Sequence, residues 1–233
     1  NLYSKWRGVN RWPALMKDFD LLRERPEVQR RGATIPDTPE IEAFVASDRP
    51  KSNDSLAELV AETQDAELVK ALRWSKAVNA TIADMVHGVA PFPYVRESIE
   101  LVSQSADAIV VSQTPVEALV REWKEHDIDE YVEVIAGQEL GTKTEHLRLA
   151  SEGKYAADHK LMIGDAPGDM NAARANEAFF FPVNPGHEEE SWQQFYEEAF
   201  ERFLSGTYGG NYEAGLISDF EKALPETPPW KRE

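Results

Sequence analysis

The sequence predicts an α/β protein in which a helical first third precedes a parallel-sheet core. Three observations lead there. Apolar positions in residues 1–90 recur at three- and four-residue spacing, the period of an amphipathic helix. After them, four short apolar runs alternate with stretches long enough for crossover helices, the order of a parallel sheet with right-handed connections. A chain of 233 residues that is 42% hydrophobic can build one large core or two modest ones, which sets intrinsic disorder aside.

Leu15, Phe19 and Leu22 form the first helical stripe. Ile41, Phe44 and Val45 form a second behind Asp37-Thr38-Pro39, where Asp37 or Thr38 can cap and Pro39 suits the first turn. Asn53-Asp54-Ser55 opens a third stretch, and Leu68, Leu72, Val78, Ile82, Met85 and Val86 carry the pattern to Gly88. Residues 1–90 are therefore read as a helical domain. Ala90-Pro91-Phe92-Pro93-Tyr94 cannot continue a helix and marks the crossing into a second domain, residues 91–205. Its strands are read at 108–111, 132–135, 161–163 and 178–183. Beyond Glu188-Glu189-Glu190, the stripe Trp192, Phe195, Tyr196, Phe200 and Phe203 reads as a helix packed on the core. Residues 206–233 read as a loop extension with one short helix near 216–224.

Composition narrows the function. Lysine and arginine total 25 against 42 aspartates and glutamates, and a net charge of −17 argues against nucleic acid and anionic membrane surfaces as partners. The absence of cysteine rules out disulfides, thiolate metal sites and cysteine nucleophiles. No apolar run reaches the roughly 18 residues of a membrane span and no leader-like segment opens the chain, so the expectation is a soluble, cytoplasmic protein. The chain opens Asn1-Leu2-Tyr3 without methionine, and the natural product is expected to be longer at its amino end.

Parallel sheets bind ligands beyond the carboxyl ends of their strands. The first run ends in Val111-Ser112-Gln113-Thr114-Pro115, a hydroxyl and consecutive backbone N–H groups that suit an anion; Thr114 as a simple helix cap, with Ser112 a bystander, explains the same residues without one. The third run ends in Gly164-Asp165-Ala166-Pro167-Gly168-Asp169. Two acids four apart around a Pro-Gly turn supply hard oxygen ligands for Mg²⁺, or else form an acidic turn in an acidic protein. Gly141-Thr142-Lys143-Thr144 opens a helix with a lysine where the helix dipole opposes it by about 0.3–1 kcal/mol. A bound anion, solvent or Glu139 would each offset that cost. His87, His126, His146, His159 and His187 have no metal-triad spacing and read as surface or boundary residues.

In this order, Ser112, Lys143 and the Asp165/Asp169 pair resemble the second, third and fourth motifs of the haloacid dehalogenase superfamily, over residues 91–185. The resemblance implies a Rossmann-like α/β core with an inserted all-helical cap. It implies a Mg²⁺-dependent phosphatase that acts on a small phosphorylated metabolite through an aspartyl-phosphate intermediate. Ser112 and the Gln113 backbone N–H would hold phosphoryl oxygens, and Lys143 would bridge nucleophile and phosphate. Asp165 would be the more direct Mg²⁺ ligand, with Asp169 holding its waters or bracing Lys143. Arg7 and Arg11, read as cap residues beside Trp12, are candidate substrate contacts. A phosphosugar mutase on the same scaffold and a catalytically silent binding module are the alternatives.

The family's first motif, an apolar strand followed by Asp-x-Asp, is not found. Asp18-Phe19-Asp20 has the acid spacing, but its surroundings fit a helix. In the family that strand lies mid-sheet, between the strands ending at Ser112 and Asp165, and leaving it out would strand backbone groups at about 1–3 kcal/mol each. The expectation is that an amino-terminal piece of roughly 10–30 residues was removed, lies outside this sequence or comes from another chain.

Overall fold

The structure is a computed structural model describing residues 2–231. The chain divides into two compact units, one of residues 2–8 with Gly88–Pro228 and one of Val9–His87 with residues 229–231. The crossing expected near residue 90 falls two residues earlier, and the first few residues belong with the α/β unit.

The helical unit comprises α1 (Arg11–Glu24), α2 (Pro26–Arg31), α3 (Pro39–Ala46), α4 (Asn53–Thr63) and α5 (Ala66–Met85). Side-chain caps start three of them: Asn10 accepts from the Trp12 N–H, Ser52 from that of Ser55, and Asp65 from those of Glu67 and Leu68. Its core is built of Trp12, Ile41, Phe44, Leu56, Leu68 and Leu72, with Trp12 set edge-on to Phe44. The stripe read on α1 is corrected here: Leu15, Phe19 and Leu22 are only half-buried, and Trp12 in the first turn is the fully buried residue. Asp18 and Asp20 lie inside α1.

The α/β unit runs α6 (Val95–Ser103), β1 (Ile109–Val111), α7 (Val116–Glu125), β2 (Val134–Ala136), α8 (Lys143–Ser151), β3 (Leu161–Gly164), α9 (Pro167–Ala175) and β4 (Phe179–Pro182). It continues through α10 (Glu188–Gln194), a π-helical turn (Phe195–Ala199), α11 (Phe200–Leu204) and α12 (Asn211–Ala223). All four strands fall within a residue or two of the runs read from sequence. Their pairing is parallel: Ile109 lies opposite Val134 and Val111 opposite Ala136, while Leu161 lies opposite Phe179 and Gly164 opposite Pro182. In place of one continuous sheet there are two sheets of two strands each, and among the described residues no backbone bond joins β1 to β3.

Strand alternation fixes what faces that break. Bonds from the Glu133 N–H to the Ala108 carbonyl and from the Ser112 N–H to the Ala136 carbonyl turn Ala108 and Ser112 toward β2, so Ile109 and Val111 turn their peptide groups away from it. Bonds from the Phe179 N–H to the Lys160 carbonyl and from the Val183 N–H to the Gly164 carbonyl likewise leave Leu161 and Ile163 facing away from β4. A cavity of about 420 Å³ lies between, lined by Ile109, Val110 and Val111 on one side and Ile163, Gly164 and Asp165 on the other.

The opposite edge of β4 is covered. Tyr208, fully buried, donates its hydroxyl to the Phe180 carbonyl at 2.7 Å, and the Glu213 carboxylate accepts from the Phe180 N–H at 2.8 Å. Burial pushes the Tyr208 phenol well above its ordinary range. α12, longer than the helix read there, packs Phe220 against Phe180, so residues 206–223 are part of the core and not an extension of it. The aromatic stripe runs along α10 and α11. The π turn between them lets Phe195, Ala199 and Phe200 all face inward, while Tyr196 stays exposed. Among the described residues no helix is long and apolar enough to cross a membrane.

Candidate functional site at the strand ends

Gly164 and the five residues that follow it form a tight turn that closes on itself. Asp169, in the first turn of α9, is 2% exposed, and its Oδ2 accepts from the backbone N–H groups of Asp165 (3.2 Å) and Ala166 (3.1 Å). A β-carbon on residue 164 would come within 2.3 Å of the Asp169 Cβ, so glycine is what lets the strand end meet the helix. The other oxygen, Oδ1, pairs with the Lys143 ammonium. A carboxylate this buried is tolerable because every oxygen has a donor and the charge has a partner.

Lys143 is the first residue of α8, and a capping box holds that end: Thr142 accepts from the Glu145 N–H while Glu145 accepts from the Thr142 N–H. Of the offsets considered for Lys143, Glu139 is taken up elsewhere, accepting from the Val116 N–H at the start of α7. Asp169 is the anion it meets.

Ser112 directly follows β1, and its Oγ accepts from the Thr114 N–H at 3.1 Å, a local turn of the backbone. Thr114 makes no side-chain cap on α7, which starts from Pro115. The Gln113 side chain donates to the Gly141 carbonyl at 3.1 Å, tying the β1 loop to the loop that opens α8. Thus Lys143, Asp165 and Asp169 are joined directly, and Gln113 is joined to the loop two residues before Lys143. No hydrogen bond between Ser112 and that trio occurs among the described residues.

The two arginines part company. Arg11, in the helical unit, donates to the carbonyl and the hydroxyl of Ser75, whose own hydroxyl donates to Asn53 Oδ1, and its burial lowers the guanidinium's pKa. Arg7 belongs to the α/β unit and donates to Asp165 Oδ2 twice, from Nε at 2.9 Å and from Nη2 at 2.5 Å. The Arg7 side chain is 16% exposed and that of Asp165 47%. Arg7 and Asp165 both line the cavity between β1 and β3.

Among the described residues no group of three or more acids and histidines is arranged to hold a metal ion. His146 departs from its surface reading: it is 5% exposed, and neither ring nitrogen has a hydrogen-bond partner among the described residues. The contact of Arg7 with Asp165 spans 158 positions and leaves no periodic trace, so sequence reasoning had no signal for it.

Comparison with curated proteins and with solved structures gave no significant match. A family profile described as "Haloacid dehalogenase-like hydrolase" matches residues 33–183, which take in Ser112, Lys143, Asp165 and Asp169.

Proposed function

The chain belongs to the haloacid dehalogenase-like hydrolases, and we propose that it is a Mg²⁺-dependent phosphatase of small phosphorylated metabolites. The observation that carries this reading is the union of an ammonium from the start of α8 with two acids, one in the turn after β3 and one in the first turn of α9. Phosphoryl transfer asks a protein chiefly for positioned positive charge, and Lys143, held at a fixed point by Asp169, offers it. The Gln113 N–H and the Ser112 hydroxyl are the neutral donors suited to the remaining phosphoryl oxygens.

The residues fit a water-rich Mg²⁺ through a single direct ligand. Asp169 has both oxygens committed, whereas Asp165 is half-exposed and its Oδ1 has no hydrogen-bond partner among the described residues. Mg²⁺ characteristically takes one or two carboxylates and completes its shell with waters and phosphate oxygens. Bound there, it would neutralise charge on the transferring phosphoryl group.

The nucleophile we assign to an aspartate that is not among the residues of this chain, at the carboxyl end of an apolar strand that would seat between β1 and β3. Two features support this. Both strands turn unpaired peptide groups into a largely apolar cavity, and the amino-terminal segment reaches it, with Arg7 lining it and Gly8 against Ala166. In the proposed reaction a carboxylate oxygen attacks phosphorus, the ester P–O bond breaks, the alcohol leaves with a proton from a neighbouring acid, and water then hydrolyses the acyl phosphate. The helical unit would serve as the cap that covers the substrate.

A panel of phosphate monoesters, assayed with and without Mg²⁺ on the natural full-length protein, tests the proposal. Mg²⁺-dependent phosphate release is expected, and Asp165→Asn should lower it by about 100-fold or more with little loss of stability. Turnover indifferent to Mg²⁺, or unchanged in that variant, would overturn the reading.

A further inference from the structure

We propose that Arg7 is a built-in counter-cation of Asp165, and that a divalent metal and Arg7 occupy this carboxylate in alternation. The inference rests on the metal reading above. Arg7 is no incidental surface partner: its side chain is mostly buried, Nε and Nη2 converge on the same oxygen of Asp165, and Nη1 donates to the Leu2 carbonyl at 3.0 Å. The segment that carries it is pressed against the strand ends. Gly8 has a positive φ of 72°, a β-carbon there would come within 2.7 Å of the Ala166 Cβ, and the Tyr3 ring lies against Gly186.

A guanidinium on Oδ2 and a dication on Oδ1 of one carboxylate would stand a few ångströms apart with like charge in a partly desolvated site, and that repulsion opposes joint occupancy. Metal therefore competes with Arg7. Without metal, Arg7 keeps Asp165 compensated and the turn ordered; with metal, the guanidinium leaves the carboxylate. Arg7 is thus a positioning residue that sets metal affinity, not a catalytic one.

Mn²⁺ titration followed by electron paramagnetic resonance, on wild type, Arg7→Gln and Asp165→Asn full-length protein, tests this without recourse to activity. Arg7→Gln should bind Mn²⁺ about fivefold more tightly than wild type, the factor expected when a half-exposed ion pair no longer competes, and Asp165→Asn should abolish that site. Equal affinity in wild type and Arg7→Gln, with Asp165→Asn still defective, overturns the alternation and leaves the metal reading intact. Binding in neither protein overturns both. Should Arg7→Gln fold poorly, the Arg7 Nε–H resonance of ¹⁵N-labelled wild type gives the same answer. Bonded to Asp165 it exchanges slowly with water, and saturation with Mg²⁺ should restore free exchange; persistence of the slow resonance would overturn the proposal.

Discussion

β4 and β1 are both short edge strands of two-stranded parallel sheets, yet their free edges are treated in opposite ways. Beyond β4, the peptide of Phe180 is satisfied on both sides by side chains, Tyr208 at its carbonyl and Glu213 at its N–H. Beside β1, and facing it on β3, the peptides of Ile109, Val111, Leu161 and Ile163 look into an apolar cavity and meet no backbone partner among the described residues. A covered edge ends a sheet, whereas an open one keeps its peptide groups free to pair. The contrast separates an edge closed by side chains from one left open.

The comparison can be broken most forcefully at Tyr208. Tyr208→Ala removes a fully buried ring packed on Phe179 and Tyr212 as well as the hydroxyl on Phe180, and should cost about 3–5 kcal/mol in urea unfolding. A loss below 1 kcal/mol would mean that the β4 edge needs no cover. A smaller effect, about 1–3 kcal/mol, is expected of Glu213→Ala, which leaves the Phe180 N–H without its acceptor in a buried position. The gentlest test alters nothing: in hydrogen exchange the Phe180 amide should be protected with the core, while those of Val111 and Ile163 exchange at least tenfold faster. Equal protection at all three would show that the inner edges are not open.

Much of the α/β unit was legible because its signals are local. Apolar runs bounded by polar residues gave β1 to β4 almost to the residue, and the turn after β3 was marked by its own Pro-Gly and acids. What escaped depends on contacts made far along the chain. Gly206-Thr207-Tyr208-Gly209-Gly210 reads as loop, and a tyrosine that satisfies a strand edge has no periodicity to betray it. His146 sits on a helix of mixed polarity whose buried face is His146, Leu147 and Ser151, too weak a stripe to separate inside from outside. On α1, the stripe Leu15, Phe19 and Leu22 has the right spacing, but the helix turns Trp12 and Met16 to the core. At the strand ends, the residue types of Lys143 and Asp169 were readable, whereas their pairing required the folded chain to bring α8 over α9.

That same pairing bears on how the unit could be assembled. Lys143 follows β2 and Asp169 follows β3, so their bond, with that of the Asn176 side chain to the Thr144 carbonyl, clasps together two halves that share no ladder. The halves are held by these side-chain bonds, by the packing of α8 on α9 and by a shared apolar cluster that takes in Val111, Leu147, Met162 and Phe180. A change in the spacing of the halves would therefore leave both strand pairs, β1 with β2 and β3 with β4, intact.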